Sequence, residues 1–101
     1  MIARSNAYDI VIESLKEVFV QAGTPVPDNI AEDSVLVGAD AILDSLGVVS
    51  LIVEVEQRLE GQHSISVTLA NDKAMSQRNS PFRTVGVLTD HVLEMAKEAA
   101  S

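Results

Sequence analysis

Cysteine and tryptophan are both missing from this chain. Without a thiol, a disulfide framework, a thiolate metal site and a cysteine nucleophile are excluded together, and the absence matches a reducing compartment. Aromatic residues are scarce, with one tyrosine and two phenylalanines in 101 residues. Any core must therefore be built from Val, Leu, Ile and Ala, which suits helices. Positive charge is short as well: seven Lys and Arg stand against fifteen Asp and Glu, for a net charge of −8. All of that excess lies in the first sixty residues, where eleven acids face three bases, while the remainder is balanced at four and four. Phosphate backbones and anionic lipid repel such a chain, which argues against nucleic acid and membrane partners and for basic protein surfaces. No run approaches the ~20 apolar residues of a membrane span, and Met1-Ile2-Ala3-Arg4-Ser5 lacks the basic-then-apolar order of a secretion signal. The chain reads as one cytoplasmic, monomeric domain with no membrane insertion.

What is present is helical periodicity. Tyr8, Val11, Leu15, Val18, Phe19 and Ala22 recur at spacings of three and four, which predicts a helix over 6–22, with Ser5 or Asn6 as its cap. Gly23 stands where a left-handed C-terminal cap belongs, and Pro25 and Pro27 prevent continuation. Residues 23–44 show no period and form a long connection. Its apolar members, Ile30, Val35, Leu36, Val37, Ile42 and Leu43, predict that it packs against the bundle and includes a turn of helix.

A second helix is predicted over 45–60, with Val48, Leu51, Ile52, Val55 and Leu59 within about 100° of one another on the wheel. Gly61 is its expected end. A short helix is expected over 70–77, and a last one over 84–98, with Thr84 as its cap and Val85, Leu88, Val92, Met95 and Ala96 as its apolar face. The alternation Ile65-Ser66-Val67-Thr68-Leu69 imitates a strand without offering it a partner. The fold class that follows is all-α, a four-helix bundle with a long first loop and a short third helix.

Chemistry concentrates at Gly38-Ala39-Asp40-Ala41-Ile42-Leu43-Asp44-Ser45-Leu46-Gly47, where the long loop ends and a helix opens on a small hydroxyl residue. Ordinary helix capping accounts for Asp-Ser at such a place. Ser45 has no His or Lys beside it in sequence, and Leu43 replaces the glycine of a nucleophile elbow, so it reads as a serine acted upon by another enzyme. As the first residue of a helix it also meets the positive end of the dipole, which favours an anionic group. Gly47 removes a side chain close by, which reads as closer access for a tether or a partner. Turned away from the core stripe, Leu46, Val49 and Val53 make a second apolar strip, with Glu56 and Glu60 on the same side. The strip either packs under the long loop or is a docking surface for basic partners.

Here the chain resembles the acyl carrier protein family. Asp44-Ser45-Leu46 falls where that family carries its Asp-Ser-Leu triplet at the start of the second helix. Leu36 and Gly38 before it, Leu51, Val55 and Glu56 within the helix, and Phe82, Thr84, Val85 and Leu88 at the last helix extend the likeness over most of the chain. The resemblance implies a four-helix carrier that is not an enzyme and has no catalytic residue. A phosphopantetheinyl transferase would move 4'-phosphopantetheine from coenzyme A onto Ser45, with Asp44 and Leu46 flanking the cofactor site. The arm's thiol would then hold acyl groups as thioesters for loading and processing enzymes that dock on Leu46, Val49, Val53, Glu56 and Glu60.

Two departures bear on which carrier this is. Ser50 and Gln57 stand where carriers of fatty acid synthesis often have carboxylates, and residues 72–83 are longer and more basic than the compact pattern. Both point to a dedicated lipid, polyketide or related pathway. An aminoacyl or peptidyl carrier shares the same serine, and an unmodified helical interaction module or a serine hydrolase are the readings from other classes. Metal chemistry finds little support. Asp33 to Asp44 has a calcium-loop length, but Val35 and Val37 stand at ligand positions, and His63 and His91 show no metal-ligand spacing.

Overall fold

Three helices organise the described part of the chain, α1 (Arg4–Ala22), α2 (Ser45–His63) and α3 (Val85–Ala100). The computed structural model describes residues 2–38, 41–69 and 82–100, with the side chains of Ser45 and Ala100 outside that description. The all-α class stands. The short helix expected over 70–77 lies outside the described residues, so the described bundle has three helices rather than four.

Both other helices lean on α1, which buries Ala7, Ile10, Val11, Ser14, Leu15, Val18 and Phe19. That face is wider than the expected stripe because α1 has two neighbours, so Ile10 is buried too, whereas Ala22, the last residue of the helix, is exposed. The helix also starts earlier than expected. Ala3 is the N-cap, and neither Ser5 nor Asn6 fills that place. Asn6 acts from within the first turn, where its Oδ1 accepts the Ala3 N–H at 2.9 Å. At the other end Gly23, at φ 73°, takes the left-handed cap as predicted, and the Gly23 and Thr24 amides donate to the Val20 and Phe19 carbonyls.

α2 runs three residues past its expected end. One exposed glycine costs a helix only about 1 kcal/mol, and Gly61 stands in open space. The stop falls instead at Ser64, which adopts φ 56°, while the Ser64 and Ile65 amides cap the Glu60 and Leu59 carbonyls and Ile65 turns into the core. Leu51, Val55 and Leu59 are fully buried and Val48 and Ile52 pack beside them. Each of the buried leucines contributes roughly 1.5–3 kcal/mol of hydrophobic stabilisation.

The long loop is fixed to the start of α3 rather than to a helix of its own, and no turn of helix forms among its described residues. Leu36, fully buried, donates its N–H to the Arg83 carbonyl at 2.8 Å. Val85 and Gly86 donate back to Ser34 and Glu32, and Val35 pairs with Thr84 in an isolated antiparallel bridge. Gly86 permits this approach, since a Cβ there would sit 3.1 Å from the Glu32 carbonyl oxygen. Thr84 caps α3 as predicted, its Oγ1 accepting the Val87 N–H at 3.2 Å. An exposed clasp reinforces the junction, with Arg4 of α1 paired to Glu32 of the loop and Asp90 of α3. Those bonds raise the guanidinium's affinity for its proton and hold the Glu32 carboxyl below its ordinary 4.5.

Candidate functional site at the start of the second helix

The loop delivers the chain to α2 through Ile42, whose N–H donates to the Val35 carbonyl at 2.9 Å. Ser45 is then the first residue of α2, and Asp44 is its N-cap, with Oδ1 accepting the Gly47 N–H at 2.7 Å. Capping is thus the work of Asp44. The Ser45 side chain itself lies outside the described residues. Its two neighbours stand at the surface: Asp44 is exposed, and Leu46 is 74% exposed.

Clefts meet around this corner. One of about 240 Å³ is lined by Val18, Phe19, Ala22, Leu43, Asp44 and Gly47, and another of about 230 Å³ by Val18, Gln21, Asp44, Leu46, Gly47 and Ser50. A third, of about 290 Å³, lies against the loop and includes Leu36, Val37, Gly38, Leu43 and Asp44. Asp44 belongs to all three. Gly47 lines two of these clefts, and a Cβ there would lie a tight 3.2 Å from Asp44 Oδ1 and from Leu43, so the glycine also leaves room for the cap.

The strip on α2 is open to solvent. Val49 is 57% exposed and Val53 43%, which sets aside the alternative that they pack under the long loop. Glu60 is exposed, whereas Glu56 is half-buried and its Oε2 accepts the Leu69 N–H at 2.8 Å. That carboxylate has a structural partner, which an exposed docking acid does not need. On the opposite flank, where α2 meets α1, Glu13, Glu17 and Glu54 share a seam with Arg58 and Gln21.

No family model, curated protein or solved structure matches the chain. The site therefore rests on its own geometry. Neither histidine is beside Ser45: His63 closes α2 at its far end, about 27 Å along the axis. His91 is bonded to Leu69, next to Glu56 near the middle of α2. Among the described residues, no group of three or more His, Cys, Asp or Glu is placed to hold a metal ion, and no helix is long and apolar enough to cross a membrane. Sequence reasoning missed the internal use of Glu56 and the His91 contact, because both join residues whose spacing in the chain carries no signal.

Proposed function

We propose that this chain is an acyl carrier protein whose Ser45 bears 4'-phosphopantetheine and presents acyl thioesters to other enzymes. The reading is carried by one observation: Asp44 caps α2 beside an exposed Leu46, so Ser45 opens the helix between a satisfied cap and an open apolar residue. The residues present fit the group. The first-turn amides of Ser45 and Leu46 lie outside the intrahelical ladder and, with the helix dipole, favour the phosphodiester's negative charge. The Asp44 carboxylate, an opposing charge, is engaged with Gly47. In the transfer, the serine oxygen forms a bond to the β-phosphorus of coenzyme A, the bond to 3',5'-adenosine bisphosphate breaks, and the serine proton passes to a base of the transferase. Once attached, the arm supplies the thiol that the chain lacks.

Leu46, Val49, Val53 and Glu60 form the docking face for cationic partner surfaces in this reading, and the cargo belongs to a dedicated pathway. An aminoacyl or peptidyl cargo would use the same serine. Intact mass after incubation with coenzyme A, magnesium and a broad-specificity transferase is the test. The wild type should gain one phosphopantetheine and Ser45→Ala none. A wild type left unmodified, under conditions that modify a control carrier, sinks the proposal and leaves an interaction module built on the exposed strip.

A further inference from the structure

α1 touches both other helices, but among the described residues α2 and α3 make no Cα approach within 8 Å of each other. One residue between them is held from both sides. Leu69 is fully buried; its N–H donates to Glu56 Oε2 of α2 at 2.8 Å, and its carbonyl lies 2.9 Å from His91 Nε2 of α3. A carbonyl offers only lone pairs, so the imidazole donates from Nε2 and its tautomer is set. The same ring meets Phe82 edge-on, with centroids 5.7 Å apart and planes at 83°. Phe82 is itself buried. His91 therefore fastens the chain at two points far apart in sequence, and Glu56 fastens one of them to the helix that carries Ser45.

We infer that Glu56, Leu69 and His91 form a strut that couples α2 to α3, in addition to the packing each shares with α1, so that a change at either helix is felt at the other through Leu69. Glu56 and His91 are positioning residues in it. The inference is independent of whether Ser45 is modified. Two hydrogen bonds converge on the backbone of a single buried leucine, and releasing either one lets that backbone relax away from the other. Coupling of this kind is reciprocal by thermodynamic necessity.

The test uses the full chain and two substitutions that separate the bonds from the packing. His91→Phe keeps a ring against Phe82 and removes the donor; Glu56→Ala removes the acceptor, while Glu56→Gln keeps an acceptor oxygen. Amide hydrogen exchange at Leu69, read relative to Leu88, discounts any loss of global stability. In His91→Phe that ratio should rise roughly five- to tenfold, the size expected for one lost hydrogen bond, although the amide's own acceptor is untouched. In Glu56→Ala the His91 Nε2–H signal should shift or broaden, although its acceptor carbonyl is untouched, and Glu56→Gln should leave it in place. An unchanged Leu69-to-Leu88 ratio in His91→Phe, or an unchanged imidazole signal in Glu56→Ala, overturns the strut, because one-way communication contradicts reciprocity.

Discussion

Replacing Asp44 distinguishes its hydrogen bond from its charge. The carboxylate accepts the Gly47 N–H at 2.7 Å and is exposed, so Asp44→Ala removes one N-cap acceptor without opening a cavity. Losing such a cap costs about 1 kcal/mol, within a range of 0.5–2. Asp44→Asn keeps the acceptor and removes the charge, whose interaction with the helix dipole is worth roughly 0.3–1 kcal/mol at low salt. For a domain of this size each kcal/mol lowers the melting temperature by roughly 4–8 °C. Thermal unfolding of the three proteins at low and high salt should therefore rank wild type, then Asn, then Ala. The gap between wild type and Asn should narrow with salt, and the gap between Asn and Ala should persist. An Ala variant as stable as wild type would show that the cap bond contributes nothing. An Asn variant as unstable as Ala would show that charge alone mattered.

Ser14 is fully buried, and its Oγ has no hydrogen-bond partner among the described residues. Ser14→Ala removes a desolvated hydroxyl worth about 1–3 kcal/mol and improves helix propensity, so denaturant unfolding should show a more stable protein. Gly61 and Gly86 form a contrasting pair. Gly61→Ala, in open space, should stabilise α2 by about 1 kcal/mol. Gly86→Ala should forfeit that gain, because its Cβ would press on a Glu32 carbonyl already fixed by the Gly86 N–H at 2.8 Å; chemical denaturation of both variants tests the difference in sign. The Arg4 clasp has a pH signature. A carboxyl held below its ordinary value, as the hydrogen bond from Arg4 holds Glu32, adds stability that is present above that value and lost as pH falls through the folded one. Arg4→Ala should be less stable than wild type near neutrality, with the difference fading as acid carries the pH below the ordinary carboxylate range and Glu32 protonates.

Periodicity made α1, α2 and α3 legible because one face of each had to be apolar, and Val11, Leu15, Leu51, Val55, Leu88 and Val92 are all buried. The errors have physical sources. A single stripe is too narrow for α1, which packs against two helices, and a glycine in open space does not stop α2, whose left-handed residue is Ser64. The start of the candidate site was legible for a local reason, since a cap and its helix are neighbours in sequence. Glu56, Leu69 and His91 were not, because their contacts are long-range and use backbone groups that every residue carries.

The approach to Ser45 runs through one backbone conformation that favours glycine. Residues 34–37 are tied to Arg83 and Val85 at the head of α3, while Asp44 is tied to α2, so the chain between them must bridge two fixed points. It leaves the first at Gly38, with φ 119°, a region that L side chains rarely adopt. The Gly38 carbonyl then accepts the Ala41 N–H, and Ile42 returns to Val35. A Cβ at Gly38 would meet nothing within 4 Å, so any effect of Gly38→Ala is conformational and not steric crowding. Strain of that kind costs about 1–3 kcal/mol. The variant should be destabilised by that amount in denaturant unfolding, and the Ile42 amide should exchange faster relative to Leu88. If Gly38→Ala unfolds like wild type with Ile42 exchange unchanged, the turn is not what fixes the approach to α2, and the cap at Asp44 must set the position of Ser45 alone.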